Sequence, residues 1–333
     1  MTGIDQPGMP TTVHTSDLRA ANSINTLAQG SMFWRPVFLE ESEWLEHIPF
    51  AFWLIEAHKP STFVELGTQE GAAYFAMCQA IDRLHLETSC YAVSSWESRD
   101  PAKKNAEQLY EAFKTHNDTH YSSFSRLVKS TSQESLGHFT DNSIDLIHFD
   151  GLEGYDESSE LIRSWLPKLS DRGLILLHDT NVREKNIQVH RLFQGLKETY
   201  PAFEFTHGQG LGILGIGANQ SKLTQKLFES DSNNSQVVQD VFSRLGRACA
   251  DSYSARFSEK TSKKLADKAE KLKTDLKSLE KNLSSAKSAL KEKKSEIKQL
   301  HQRIQQQIET QALERGQLKF ELYVTPREAV VAQ

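Results

Sequence analysis

From Thr62 onward, short β-rich apolar runs alternate with amphipathic stretches. The runs read FVELG, CYAVSSW, SRLVKS, IDLIHFD and GLILLHD. The stretches at about 71–84, 101–116, 132–139, 154–168 and 184–199 carry apolar residues at helical spacing. This alternation predicts a parallel sheet covered on both faces, a doubly wound α/β fold. Next comes FEFTHGQGLGILGIG, two β-like runs joined at glycines with no helix between them. It predicts a terminal hairpin that puts one antiparallel strand into a sheet of about seven. Upstream, Glu41 to His58 carry a helical apolar pattern that stops at Pro60, and residues 1–36 show no period.

A different pattern governs the C-terminal third. Leu276, Leu283, Leu290, Ile297 and Ile304 recur every seven residues, and Leu265, Leu272, Leu279, Ala286 and Leu300 fill the offset column. Lys293 and Gln307 interrupt that second column. Such a seam predicts a long coiled-coil helix. The expected organisation is an arm at 1–36, an α/β domain at 37–218, a helical linker at 219–253, a coiled coil at 254–318 and a tail at 319–333. A parallel homodimer is expected through the coil, with a helix of another protein as the other candidate partner.

Composition narrows the function classes. The 333 residues carry a formal net charge of -5, with 38% hydrophobic residues and a mean hydropathy of -0.53. Residues 259–303 hold 14 basic and 7 acidic side chains, so the remainder is acidic. That balance argues against general nucleic-acid binding. The run IPFAFWLIEA is far shorter than the ~20 residues of a membrane helix, so no membrane span is expected. Cys78, Cys90 and Cys249 have no metal-ligand spacing. A cytoplasmic location is expected.

The chemistry begins at TFVELGTQEGAAYF, where Glu65-x-Gly67-x-x-x-Gly71 joins a strand to a helix. A dinucleotide loop would need a third glycine at closer spacing, which disfavours a nicotinamide oxidoreductase. A literal G-x-G-x-x-G at Gly210, Gly212 and Gly215 lies within a β-like run and opens no helix, so it reads as hairpin glycines. The first loop resembles motif I of class I S-adenosylmethionine-dependent methyltransferases. SIDLIHFDGLEGY and WLPKLSDRGLILLHDT resemble the fourth and fifth strands of a metal-assisted subgroup that acts on sugars and small molecules. The resemblance covers about residues 45–217 and implies a Rossmann-like sheet.

It also implies roles. Gly67 and Gly71 would let the backbone approach the amino-acid end of S-adenosylmethionine, and Glu65 would hold its ammonium. Ser94 stands where the family places a ribose-binding acid, with Glu97 or Asp100 as possible substitutes, and Trp96 can stack on adenine or pack beneath the loop. Asp150, His178 and Asp179 would hold magnesium, with Asp150 and His178 also counted among the catalytic groups. Glu153 occupies the position of the family's histidine base. His148 reads as a satisfied core histidine, while Asn181 and His207 are candidates for acceptor contact. The activity the resemblance implies is O-methylation of a sugar or glycan-linked acceptor, and since similar domains occur beside glycosyltransferases, it also implies a glycosyltransferase helix as the coil's other candidate partner. A weakened, methyltransferase-like scaffold assembled by the coil is the alternative, because of Ser94 and Glu153.

Overall fold

The computed structural model describes residues 26–68, 70–96, 106–184 and 187–331. Seven strands form one sheet: β1 (Thr62–Leu66), β2 (Ser89–Ser94), β3 (Ser125–Lys129), β4 (Ile144–Phe149), β5 (Leu169–His178), β6 (Ala202–Phe205) and β7 (Leu211–Gly215). Their order is β3-β2-β1-β4-β5-β7-β6. The first five strands run parallel, and β7 pairs antiparallel with both β5 and β6. The predicted hairpin is therefore present, with Gly210 at φ +93° in its turn.

Helices cover both faces. One face holds α1 (Ile48–His58), α2 (Ala72–Arg83) and α3 (Ala106–His120), and its apolar cluster includes Phe50, Phe75, Phe113 and Leu146. The other holds α4 (Tyr155–Trp165) and α5 (Val189–Leu196), with Ile147, Ile162, Trp165 and Phe193 in its cluster. Every residue of β4 is buried. A central parallel strand with both faces covered has no solvent side, which accounts for its near-continuous apolar run.

The stretch from Glu41 to His58 forms two elements. A 3-10 helix spans Glu43–His47, with Ser42 Oγ accepting from the Trp44 backbone N–H at 3.1 Å, and α1 follows with Pro49 in its first turn. Proline fits there because its missing N–H would be unpaired in any case.

The chain divides into two units, Met1–Arg256 and Phe257–Gln333. Helix α6 (Lys222–Phe228) and the opening turns of α7 (Ser232–Val331) belong to the first. Residues 219–253 are largely helical, and Leu227, Val238, Phe242 and Cys249 from this segment are buried in the α1 face of the core. In the second unit α7 exposes its side chains throughout residues 263–316. Residues 1–25 of the expected arm lie outside the described residues.

Gly246, in the first unit, permits a close crossing. A Cβ there would overlap the backbone of Glu46 in the 3-10 helix. Alanine is the better helix former by about 1 kcal/mol, yet Gly246→Ala is expected to lower the thermal midpoint by several degrees, because backbone must move. A midpoint equal to or above the native one in a thermal melt would contradict this packing.

Candidate functional site

The strands β1 and β4 are neighbours, but the chain leaves β1 toward β2 and returns to β4 from β3. Such a switch of direction opens a crevice at the carboxyl ends of the strands. Here the crevice is a cleft of about 1720 Å³, lined by the ends of β1, β2, β4 and β5 and by residues 38 and 40–45.

At the end of β1, Gly67 takes φ +85° and its N–H donates to Val93 O at 2.9 Å. A Cβ at this position would overlap the Asp150 carbonyl, so both the dihedral angle and the close approach require glycine. Gly71 precedes α2 at φ +91°. Glu65 does not line the cleft. Its Oε2 lies 2.9 Å from His148 Nδ1, and its Oε1 accepts from Thr68 Oγ1 at 3.0 Å. Burial pushes the Glu65 carboxyl above its ordinary value, against those two bonds, which favour the anion. Its carboxylate is thus turned toward His148 and Thr68, and His148 is hydrogen-bonded at both ring nitrogens in the core.

At the end of β2, Ser94 lines the cleft and its Oγ accepts from the Trp96 N–H at 3.1 Å. Trp96 also lines the cleft but is almost wholly buried, its ring 5.1 Å from Tyr110 and 5.5 Å from Phe113. Packing against α3 is therefore its observed role. Glu97 and Asp100 lie outside the described residues.

The ends of β4 and β5 bring three side chains together. Asp150, His178 and Asp179 each present a donor atom within 4.8 Å of the other two. His178 Nδ1 lies 3.1 Å from Asp179 Oδ1 and 3.5 Å from Asp150 Oδ1. Burial alone would lower the pKa of this ring, but the two carboxylates overcome that and push it up to about 10. Burial also opposes ionisation of Asp150, yet His178 and the Gly151 N–H hold its carboxyl below the ordinary value. Asp179 has φ +67°, and its N–H donates to Gly210 O at 3.0 Å. The hairpin turn thus holds this carboxylate at the cleft. Glu153 lines the same cleft from the loop after β4. Neither Asn181, which donates to Thr206 O at 2.8 Å, nor His207 is among the lining residues.

Sequence reading missed the upstream wall. Trp44 lines the cleft while 2% exposed, and Glu40 and Glu41 join it there. Tyr253, from the start of α7, lines it too.

Residues 64–180 match the methyltransferase-domain family model. This span runs from β1 to just beyond β5 and includes Glu65, Gly67, Gly71, Ser94, Trp96, Asp150, Glu153, His178 and Asp179. An uncharacterized protein of Sinorhizobium fredii is 39% identical over 181 residues, 54% of this chain. The matched region is 20% of that relative's length, so the chain spans about a fifth of it. Among solved structures, the S-adenosylhomocysteine-bound methyltransferase PaMTH1 of Podospora anserina is similar, at 14% identity and a TM-score of 0.39, covering 63% of this chain and 98% of its own. The O-methyltransferase TomG of Streptomyces achromogenes, solved with S-adenosylmethionine, is similar at 10% identity and a TM-score of 0.40, covering 63% and 92%. Among the described residues no helix is long and apolar enough to cross a membrane.

Proposed function

We propose that this chain is an S-adenosylmethionine-dependent O-methyltransferase acting on a sugar or glycan-linked acceptor with magnesium assistance. The observation that carries the reading is the meeting of Asp150 and Asp179 around His178 in one cleft with the Gly67 turn. The residues fit the methyl donor at the glycine turn: Gly67 lines the cleft, and only glycine takes its φ of +85° so close to the Asp150 carbonyl. Gly71, Ser94 and Trp96 complete the proposed cofactor set. The donor supplies an electrophilic methyl carbon, and the chain's task is to align an acceptor oxygen with it.

The carboxylates fit magnesium, which prefers oxygen ligands, and His178 offers a third donor. Bound at Asp150 and Asp179, the ion would lower the pKa of an acceptor hydroxyl. His178 now bridges both carboxylates, so it must give way or yield a proton for them to turn to a metal. Glu153, on the cleft wall, is the proposed proton acceptor. The hydroxyl proton passes to its carboxylate while the oxygen forms its bond to carbon and the departing sulfur keeps the electron pair.

One observation favours the second reading, a catalytically weakened scaffold. Ser94 Oγ already accepts a bond from the Trp96 N–H, which leaves a ribose one lone pair and the hydroxyl hydrogen in place of the two charged oxygens of an acid. Methyl transfer from labelled S-adenosylmethionine to a panel of neutral sugars separates the two: labelled product supports the enzyme, and cofactor binding without product on any sugar supports the scaffold. Three buried, free cysteines suit the proposed cytoplasmic location.

We propose also that the second unit pairs as a parallel homodimer. Leu276, Leu283, Leu290, Ile297 and Ile304 are each more than half exposed, and burying one such side chain contributes about 1.5–3 kcal/mol. Leu283→Asp combined with Leu290→Asp should convert a dimer to a monomer in light scattering while the first unit stays folded. A monomeric native chain at micromolar concentration would refute self-pairing and leave a glycosyltransferase helix as the partner.

A further inference from the structure

Four buried or nearly buried groups form a continuous chain behind the cleft. Trp44 Nε1 donates to His148 Nε2 at 3.2 Å, His148 Nδ1 lies 2.9 Å from Glu65 Oε2, and Thr68 Oγ1 donates to Glu65 Oε1 at 3.0 Å. An indole N–H can only donate, so His148 must accept at Nε2 and carry its hydrogen on Nδ1. The bonds then run from Trp44 through His148 to Glu65, and Thr68 donates to the same carboxylate from the other side. Trp44, Glu65, Thr68 and His148 are at most 2% exposed. In a dry environment an unmade bond costs far more than at the surface, so each member strongly constrains the next.

The chain joins two parts of the molecule that are distant in sequence. At one end is the 3-10 helix Glu43–His47, whose Trp44 walls the cleft and which Gly246 abuts at Glu46. At the other is Thr68, the residue after Gly67 in the glycine turn. Between them, Glu65 and His148 are direct partners in the register of β1 and β4. Gly67, at φ +85°, has no side chain of its own to hold its conformation.

We propose that Trp44, His148 and Glu65 are positioning residues that fix the glycine turn through Thr68, so that the wall carrying Trp44 sets the shape of the turn. The cofactor arm of the test rests on the reading of this turn as the S-adenosylmethionine site; the exchange arm does not.

Trp44→Phe keeps an aromatic ring and removes only the indole fusion and its N–H. Hydrogen exchange on the full chain should show the amides of Gly67 and Thr68 exchanging at least tenfold faster in this variant, with β6 and β7 unchanged. Thr68→Val should reproduce that local effect, and Thr68→Ser, which restores the hydroxyl, should reverse most of it. Calorimetry should show S-adenosylmethionine binding weakened about three- to tenfold in Trp44→Phe. Native exchange at Gly67 and Thr68 in folded Trp44→Phe would overturn the proposal, and so would equal acceleration across the whole sheet, which marks global destabilisation. If the native chain does not bind S-adenosylmethionine, the cofactor reading fails, while the exchange result still decides whether the network positions the turn.

Discussion

Gly67→Val is expected to reduce S-adenosylmethionine binding at least tenfold in a protein that still folds. Two effects act together. Valine is β-branched and strained at φ +85°, and its Cβ would overlap the carbonyl of Asp150. The turn can relieve the overlap only by leaving β4, which would also shift the Asp150 carboxylate. The thermal midpoint should fall, since strain of this kind costs on the order of 1–3 kcal/mol. Calorimetry on the variant, with circular dichroism to establish folding, checks both effects. Unchanged affinity in a folded variant would remove the glycine turn from the cofactor site.

Asp179→Asn should lower methyl transfer a hundredfold or more and leave cofactor affinity within about threefold. Asparagine has nearly the same shape as aspartate and tolerates positive φ, so the φ of +67° is not a new source of strain. What changes is charge: His178 loses one of its two carboxylate partners, and the proposed metal site loses one of its two hard ligands. Turnover measured with magnesium and with excess chelator should converge in the variant and differ in the native protein. Full native activity in chelator would refute the metal-assisted mechanism.

The order of elements was legible because the hydrophobic period switches cleanly between strand and helix. β1, β4 and β5 coincide with FVELG, IDLIHFD and GLILLHD to within one residue, apart from the four residues by which β5 starts earlier. The strand-end acids were legible for the same reason: a polar residue after a buried run marks where a strand meets solvent. The direction of Glu65 was available too but went unread. Phe63 belongs to the α1-side cluster and Val64 and Leu66 to the opposite one, so period-two alternation turns Glu65 toward α1. Leu146 in β4 points to that same side, and His148, two residues on, meets Glu65 there. Trp44 was hidden for a different reason. A tryptophan on an apolar helical face reads as core, and it is nearly as buried as core; only its place beside the strand ends makes it part of the cleft. Tyr253 reaches the site through tertiary folding over a long sequence separation, which local periodicity does not encode. The break between the 3-10 helix Glu43–His47 and α1 depends on the Ser42 cap and on Pro49, local features that a continuous apolar stripe masks.

On the proposed reading, the cleft at the strand ends receives S-adenosylmethionine. Isothermal titration of the full chain with S-adenosylmethionine, in the presence and absence of magnesium, decides the matter. A saturable heat at one equivalent per chain, lost in Gly67→Val, is the result expected. No binding at millimolar cofactor with or without magnesium would contradict the claim.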